Sequence, residues 1–258
     1  MLIAYLRYFF GALITIPLLP ILYVQGKRVK ANIPSLPEAK GVTGIAEVQG
    51  TQDTLKVLTV GESTMAGVGV DTHEEGFSGN LARELSRLLG IDIDWKVYAR
   101  SGYTAQKVRE RLLPAIQETH PDLIVIGLGG NDSFTLNTPW GWKKEIQLLI
   151  EAIKEKFPEA KITFISMPPI KAFAAFTSIM KWVIGNLCEI HGEILRYTVD
   201  DHPGVAYYHQ VITLEKWMKQ FDIDAKYEDF FSDGVHPSKL TYQVMARDMA
   251  LFIEKQLT

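Results

Sequence analysis

Cysteine and long runs of basic residues are almost absent from this chain of 258 residues. The single cysteine, Cys188, excludes an internal disulfide, and its apolar neighbours indicate a buried small side chain and not a nucleophile. The formal net charge is -3, with 27 basic and 30 acidic side chains. Because that balance provides no basic surface block, the composition does not favour nucleic acid as a partner.

Motifs of nucleotide-binding proteins are also incomplete. Gly61 follows an apolar run, but no Gly-Lys-Ser/Thr of a phosphate-binding loop comes after it. A dinucleotide fingerprint that uses Gly67 and Gly69 requires a third glycine where this chain has Thr72. The sequence therefore gives little support to a nucleotide-binding module.

The N-terminus carries the longest uncharged stretch, residues 8–24, with Arg7 before it and three basic residues soon after it. A membrane-spanning helix needs about 20 apolar residues, and Pro17 and Pro20 are expected to kink or break a helix here. We interpret residues 1–30 as a membrane anchor or interfacial segment, with the side of the membrane undecided. The charge distribution places the rest of the chain on the cytoplasmic side if the segment spans. The alternatives are a signal of a secreted or periplasmic protein, and a hydrophobic hairpin packed on the protein itself.

Residues 31–53 are rich in proline and glycine and predict a linker, which leaves residues 54–258 as one domain. In that domain short apolar runs alternate with helical patterns, and Thr104 is a candidate helix N-cap. The predicted strands are 55–60, 93–98, 122–128, 162–167 and 204–208. Such alternation predicts parallel strands joined by right-handed crossovers, with ligands beyond the carboxyl ends of the strands.

Three short polar segments carry the residues of a catalytic site. Ser63 follows the first predicted strand, Asn131 follows the third, and Asp233 and His236 precede the last helical stretch. A serine hydroxyl becomes a nucleophile when a histidine takes its proton, and an aspartate orients that histidine. Each segment alone also has the composition of an ordinary turn. Their order and their positions at strand ends together favour a serine nucleophile.

A tetrahedral intermediate also needs hydrogen-bond donors directed at its oxyanion. The candidates are the backbone N–H of Ser63, the backbone N–H of Gly102 and the side-chain amide of Asn131. A glycine at position 102 lets a substrate approach the backbone closely.

These segments together resemble the SGNH hydrolases, also called the GDSL esterase/lipase family. The matching blocks are Gly61-Glu62-Ser63-Thr64, Ser101-Gly102, Gly129-Gly130-Asn131-Asp132 and Asp233-Gly234-Val235-His236-Pro237. The resemblance covers about residues 55–257. It implies an α/β fold, a flavodoxin-like three-layer α/β/α sandwich with a central, mostly parallel sheet. It also implies an acyl-enzyme on Ser63, a small-molecule or lipid ester substrate, and no metal or other cofactor.

One departure from the family pattern bears on this resemblance, and one other hydrolase class competes with it. The family usually has aspartate where this chain has Glu62, which we expect to keep a polar contact near the site with activity retained. An α/β-hydrolase would place Ser63 in G-x-S-x-G, but Met65 stands where the second glycine belongs. The resemblance therefore puts the geometry around Glu62 in question and leaves the nucleophile unchanged.

The sequence thus predicts a serine esterase acting on carboxylic esters of short to medium acyl chains. The alternatives are a lysophospholipase or thioesterase, or an acyltransferase that uses the same triad on lipid or envelope acceptors. Met65, Phe173 and Phe176 are the predicted substrate contacts, because they lie near the first block or in an apolar stretch after the fourth predicted strand.

Overall fold

A computed structural model describes residues 1–210 and 212–257. The strands are β1 (Thr43–Ala46), β2 (Thr54–Gly61), β3 (Asp92–Ala99), β4 (Leu123–Gly127), β5 (Lys161–Phe164) and β6 (Val205–Tyr207). The helices are α1 (Leu2–Asn32), α2 (Phe77–Leu89), α3 (Ala105–Lys107), α4 (Gly130–Phe134), α5 (Pro139–Lys156), α6 (Ser178–Asp200), α7 (Leu214–Phe221) and α8 (Lys239–Leu257). Short π or 3₁₀ turns occupy Val108–Leu112, Leu113–Ala115, Ile170–Ala172 and Tyr227–Phe230.

The sheet has the order β1-β3-β2-β4-β5-β6, and β2 to β6 run parallel. Without β1, this is the flavodoxin order. Helices α3, α5 and α6 cover one face, and α2, α7 and α8 cover the other. All of β4 is buried, as its continuous apolar sequence predicts for a central strand. The predicted three-layer α/β/α fold is confirmed, and each of the five predicted strands overlaps an observed one.

The sequence prediction missed strand β1, which lies inside the predicted linker and pairs antiparallel with β3. Its four residues are too few for an alternating pattern to stand out. Gly44 faces Trp95 so closely that an added Cβ would lie 2.4 Å from the indole ring. The glycine that suggested a linker is therefore required by close packing at the edge of the sheet.

Helix α3 begins after Thr104, but the Thr104 side chain makes no capping hydrogen bond. The carboxylate of Asp132 takes that role, because its Oδ2 accepts from the Ala105 backbone N–H at 3.0 Å. The predicted N-cap position is confirmed and the predicted capping group is wrong. The helical path continues as a π turn over Val108–Leu112 and then tightens into a 3₁₀ turn at Pro114.

Helix α1 runs without interruption through Pro17 and Pro20, so the predicted break is wrong. Each proline removes one backbone donor, and α1 packs along α6. The Thr177 hydroxyl, at the start of α6, donates to Gln25 Oε1 at 2.7 Å. The segment is therefore one continuous helix lying against the domain, and not a hairpin.

The N-terminal half of α1 is held by aromatic and charged contacts. Tyr5 stacks on Trp140 with ring centroids 5.0 Å apart, and Arg7 forms ion pairs with Glu189 and Glu193 of α6. Most large apolar side chains of α1 nevertheless stay exposed. The helix is long and apolar enough to cross a membrane, a property that membrane anchors and signal sequences share.

Candidate active site

Neighbouring parallel strands bring the first and third polar segments together. Gly61 ends β2 opposite Gly127, which ends β4. Ser63 follows two residues after Gly61, and Asn131 lies on the first turn of α4. The strand order reverses between β2 and β4, which is where ligands bind in this type of sheet. A Cβ added at Gly61 would lie 2.1 Å from the Gly127 carbonyl oxygen, so this approach requires glycine.

One cavity of about 950 Å³ is lined by Ser63, Gly102, Asn131 and His236. The fold gathers Ser63, Gly102 and Asn131 on one rim, as their positions after strands predicted, and His236 lines the same cavity from a fourth segment. Asp233 is not on the cavity wall. Its side chain is fully buried behind the imidazole ring of His236.

The Asp233 carboxylate binds His236 through both of its oxygens. Oδ2 lies 2.7 Å from His236 Nδ1, while Oδ1 accepts from the backbone N–H groups of Val235 at 3.0 Å and His236 at 2.7 Å. Burial opposes ionisation of Asp233, but these hydrogen bonds outweigh it, and the pKa of the carboxyl lies below its usual value. With Nδ1–H donated to Asp233, the Nε2 atom of His236 is the basic nitrogen of the ring.

Gly102 has φ 80°, a left-handed conformation that glycine adopts without strain. The Glu38 carboxylate holds the preceding loop, accepting from the Ser101 backbone N–H at 2.7 Å and from Arg100 at 3.0 Å. Within the described ranges, neither the Gly102 N–H nor the Ser63 N–H has a protein acceptor. Both groups are therefore free to donate to a ligand.

Glu62 ties the nucleophile segment to α4. Its Oε1 accepts from the Gly130 backbone N–H at 2.8 Å, and its Oε2 accepts from the Asn131 backbone N–H at 2.8 Å. The Asn131 amide nitrogen Nδ2 lies 2.5 Å from the same Oε2. Burial raises the pKa of Glu62 to about 7, although the three donors oppose that shift. The polar contact expected of Glu62 is present, and it reaches the proposed oxyanion asparagine directly.

The second hydrogen of the Asn131 amide also has an acceptor, because Nδ2 lies 3.1 Å from the Tyr103 carbonyl oxygen. An amide nitrogen carries two hydrogens, so both are engaged. Donation to an oxyanion therefore requires that one of these hydrogen bonds be shared or exchanged. The contact with Tyr103 is the longer of the two.

The predicted substrate contacts divide into two groups. Phe173 and Phe176 line the cavity, with their rings edge to face at 5.4 Å. Met65 is fully buried and does not line it, contrary to the prediction. Its side chain packs beneath Gly61 and Gly127, where a Cβ on Gly127 would lie 2.6 Å from Met65 Cε. Met65 therefore supports the strand ends and belongs to the core.

Sequence reasoning missed His191, which supports α4 from behind. Its ring lies 3.1 Å from Ser133 Oγ and 2.9 Å from the Asn137 carbonyl oxygen, and its own carbonyl accepts from Trp142 Nε1. Burial lowers the pKa of His191 to about 4, so the ring is neutral at physiological pH. The only signal in the sequence was a histidine inside an apolar helical pattern, which also fits ordinary packing.

Cys188 is buried, and burial raises the pKa of its thiol to about 12. A thiol in this state is inert, as its apolar neighbours in the sequence indicated. In the described part of the chain, no group of three or more His, Cys, Asp or Glu side chains is placed to hold a metal ion.

A three-layer α/β/α sandwich that carries a serine, an asparagine and an Asp–His pair at one edge of its sheet is the arrangement of an SGNH-type ester hydrolase. The sequence model of the GDSL-like lipase/acylhydrolase family matches residues 59–244. The chain belongs to this family, and it is a carboxylic ester hydrolase.

Individual relatives are distant. A GDSL esterase/lipase of Arabidopsis thaliana is 24% identical over 198 residues, covering 71% of this chain and 82% of its own. The crystal structure of TesA superposes with a TM-score of 0.58 at 19% identity, covering 77% of this chain and 97% of TesA. An active-site mutant of a family two carbohydrate esterase from Clostridium thermocellum gives a TM-score of 0.57 at 16% identity. That match covers 79% of this chain and 64% of the esterase. This chain therefore spans less than two thirds of the length of that esterase.

Proposed function

We propose that the protein is a serine esterase that hydrolyses carboxylic esters through an acyl-enzyme on Ser63. The observation that carries this proposal is the shared cavity wall of Ser63 and His236, with Asp233 bonded to the far side of the imidazole at 2.7 Å. Family membership supports it, because the matched family comprises lipases and acylhydrolases.

In the first half of the reaction, His236 Nε2 takes the proton of the Ser63 hydroxyl as its oxygen attacks the ester carbonyl. The N–H groups of Ser63 and Gly102 and the amide of Asn131 stabilise the oxyanion. His236 then gives its proton to the leaving alcohol. Water, activated by the same imidazole, attacks the acyl-enzyme and releases the carboxylic acid and free Ser63. Asp233 keeps the ring oriented and stabilises its charged form throughout.

The acyl group of the substrate lies against Phe173 and Phe176, whose rings form part of the apolar wall. We propose that the catalytic cavity alone accommodates acyl chains of short to medium length. The phenyl rings supply apolar contact without a competing hydrogen-bonding group.

A second candidate is a lipid-directed activity of the same triad, as a lysophospholipase, a thioesterase or an acyltransferase. The exposed apolar surface of α1 beside the cavity favours it. Product analysis separates the possibilities, because transfer yields a new ester whenever an acceptor alcohol is present and hydrolysis yields the free acid.

We also propose that residues 1–30 anchor the protein to a membrane and that residues 54–258 form the catalytic domain. The exposed apolar side chains of α1 support the anchor. Fractionation of cells that express the full chain tests it. An anchored protein stays with the membranes after an alkaline carbonate wash and needs detergent for release. Recovery in the medium or periplasm with a shortened N-terminus would instead show a cleaved signal.

The activity test compares hydrolysis of p-nitrophenyl esters, from acetate to long acyl chains, by the wild type and by Ser63→Ala. We expect turnover in the wild type and its loss in the variant. Ser178→Ala, an exposed substitution at the start of α6, is the matched control and should retain turnover. Equal hydrolysis by wild type and Ser63→Ala would refute the proposal.

A further inference from the structure

Helix α1 forms one wall of the catalytic cavity. Leu22 and Tyr23 line it together with Ser63 and His236. The family match begins at residue 59, so α1 lies outside the matched region. This wall is therefore a feature that the family resemblance does not supply.

A second apolar groove of about 600 Å³ lies between the N-terminal half of α1 and α6. Trp182, Val183 and Leu187 line it from the α6 side. Leu19 and Leu136 line both this groove and the catalytic cavity. The two spaces therefore share these leucines, which places the apolar groove next to the catalytic cavity.

The groove is open at Gly11, the glycine of α1 that lines it. A Cβ added at Gly11 would meet no atom within 4 Å. Aliphatic and aromatic side chains form most of the lining, and Arg7 at one end is engaged with Glu189 and Glu193. A hydrocarbon chain that binds here removes apolar surface from water, which is favourable, whereas a polar ligand finds few hydrogen-bonding partners.

We propose that the α1–α6 groove binds the hydrocarbon chain of an ester whose carbonyl lies at Ser63. The substrate class is therefore lipid esters whose chains extend beyond Leu19 and Leu136. The inference rests on the proposed esterase function and extends the acyl site from the catalytic cavity into the groove. Each further methylene that enters the groove should raise kcat/KM by up to about fourfold, the ratio that corresponds to removing one methylene from water.

The test uses the full chain in detergent and p-nitrophenyl esters of acetate, octanoate and palmitate. Gly11→Phe adds a ring at a position that lines the groove, where an added Cβ meets no atom within 4 Å. Gly11→Leu is the second variant, in case the phenylalanine variant folds poorly. It also adds apolar bulk at this position, and leucine has a higher helix propensity than phenylalanine. Val24→Phe adds similar apolar bulk to α1 at an exposed position outside both cavities, and is the matched control.

We expect the Gly11 variants to hydrolyse acetate within about twofold of the wild type and palmitate at least about tenfold more slowly, with Val24→Phe unchanged on both. An unchanged ratio of palmitate to acetate hydrolysis in the Gly11 variants would overturn the inference, whether both rates persist or both fall. That outcome differs from failure of the proposed function, in which the wild type and Ser63→Ala hydrolyse acetate equally.

Discussion

Glu62 accepts two hydrogen bonds from Asn131, one from the backbone N–H at 2.8 Å and one from the side-chain amide at 2.5 Å. The residue before the proposed nucleophile thus orients the asparagine proposed to stabilise the oxyanion. Both Glu62 oxygens act as acceptors in these hydrogen bonds, so the nitrogen end of the Asn131 amide faces the carboxyl group. Glutamate in place of the family's usual aspartate is therefore part of the rim, and it couples the ends of β2 and β4.

Glu62→Ala should lower kcat for p-nitrophenyl acetate by about 10- to 100-fold, because Asn131 loses the group that orients it. Glu62→Asp keeps a carboxylate and should recover part of the rate. The sharper measurement is a double-mutant cycle with Asn131→Ala. If Glu62 acts through Asn131, Glu62→Ala costs little further activity in the Asn131→Ala background. Fully additive losses would show that the two residues act independently.

The buried Glu62 carboxyl should also give stability a defined pH dependence. Its pKa is about 7 in the folded chain, against an ordinary value of 4.5. Between these values the folded state holds a proton that the unfolded state has lost, so the free energy of unfolding falls as pH rises. The contribution is at most about 3 kcal/mol. Urea unfolding of wild type and Glu62→Gln from pH 4.5 to 7.5 measures it.

In that comparison, the stability of the wild type relative to Glu62→Gln should decrease as pH rises through this range. Both proteins contain the buried histidines His73 and His191, so the contribution of these histidines to the pH dependence of stability cancels in the comparison. Burial lowers the pKa of each to about 4, which gives stability a slope of the opposite sign below pH 6.5. Parallel curves for the two proteins would contradict the assignment to Glu62.

Asp233→Asn should reduce kcat by about 10²- to 10⁴-fold with a much smaller change in KM. An amide in place of the carboxylate no longer fixes the imidazole with Nε2 as the basic nitrogen, and it does not stabilise the charged ring. Asp201→Asn, an exposed substitution at the end of α6, provides the control and should behave as the wild type. A kcat within threefold of the wild type for Asp233→Asn would remove Asp233 from the mechanism.

The central sheet could be predicted because its strands are buried on both faces and their sequences are almost purely apolar, as in β4. The edge strand β1 could not, because a short half-exposed strand that contains Gly44 resembles a linker. Ser63, Gly102 and Asn131 could be predicted from their positions after strands, since parallel topology brings such positions to one edge. His236 follows no strand, and it was predicted from the spacing of the Asp233–His236 pair.

Other features depend on packing that the sequence does not display. Met65 stands two residues after Ser63, yet its side chain turns into the core under the strand ends. The wall that α1 contributes depends on how a terminal helix docks on α6, and a hydrophobic stretch alone does not specify a docking surface. The Glu62–Asn131 pair joins residues far apart in the chain, so only the folded structure identifies the partner.

The most direct test of the central claim is peptide mass spectrometry of protein quenched in acid during turnover of p-nitrophenyl acetate. The proposed mechanism predicts one acetyl group on the peptide that contains Ser63, present during turnover, gone after substrate is consumed, and absent in Ser63→Ala. Turnover accompanied by acetylation at another residue, or persisting in Ser63→Ala, would contradict an acyl-enzyme on Ser63.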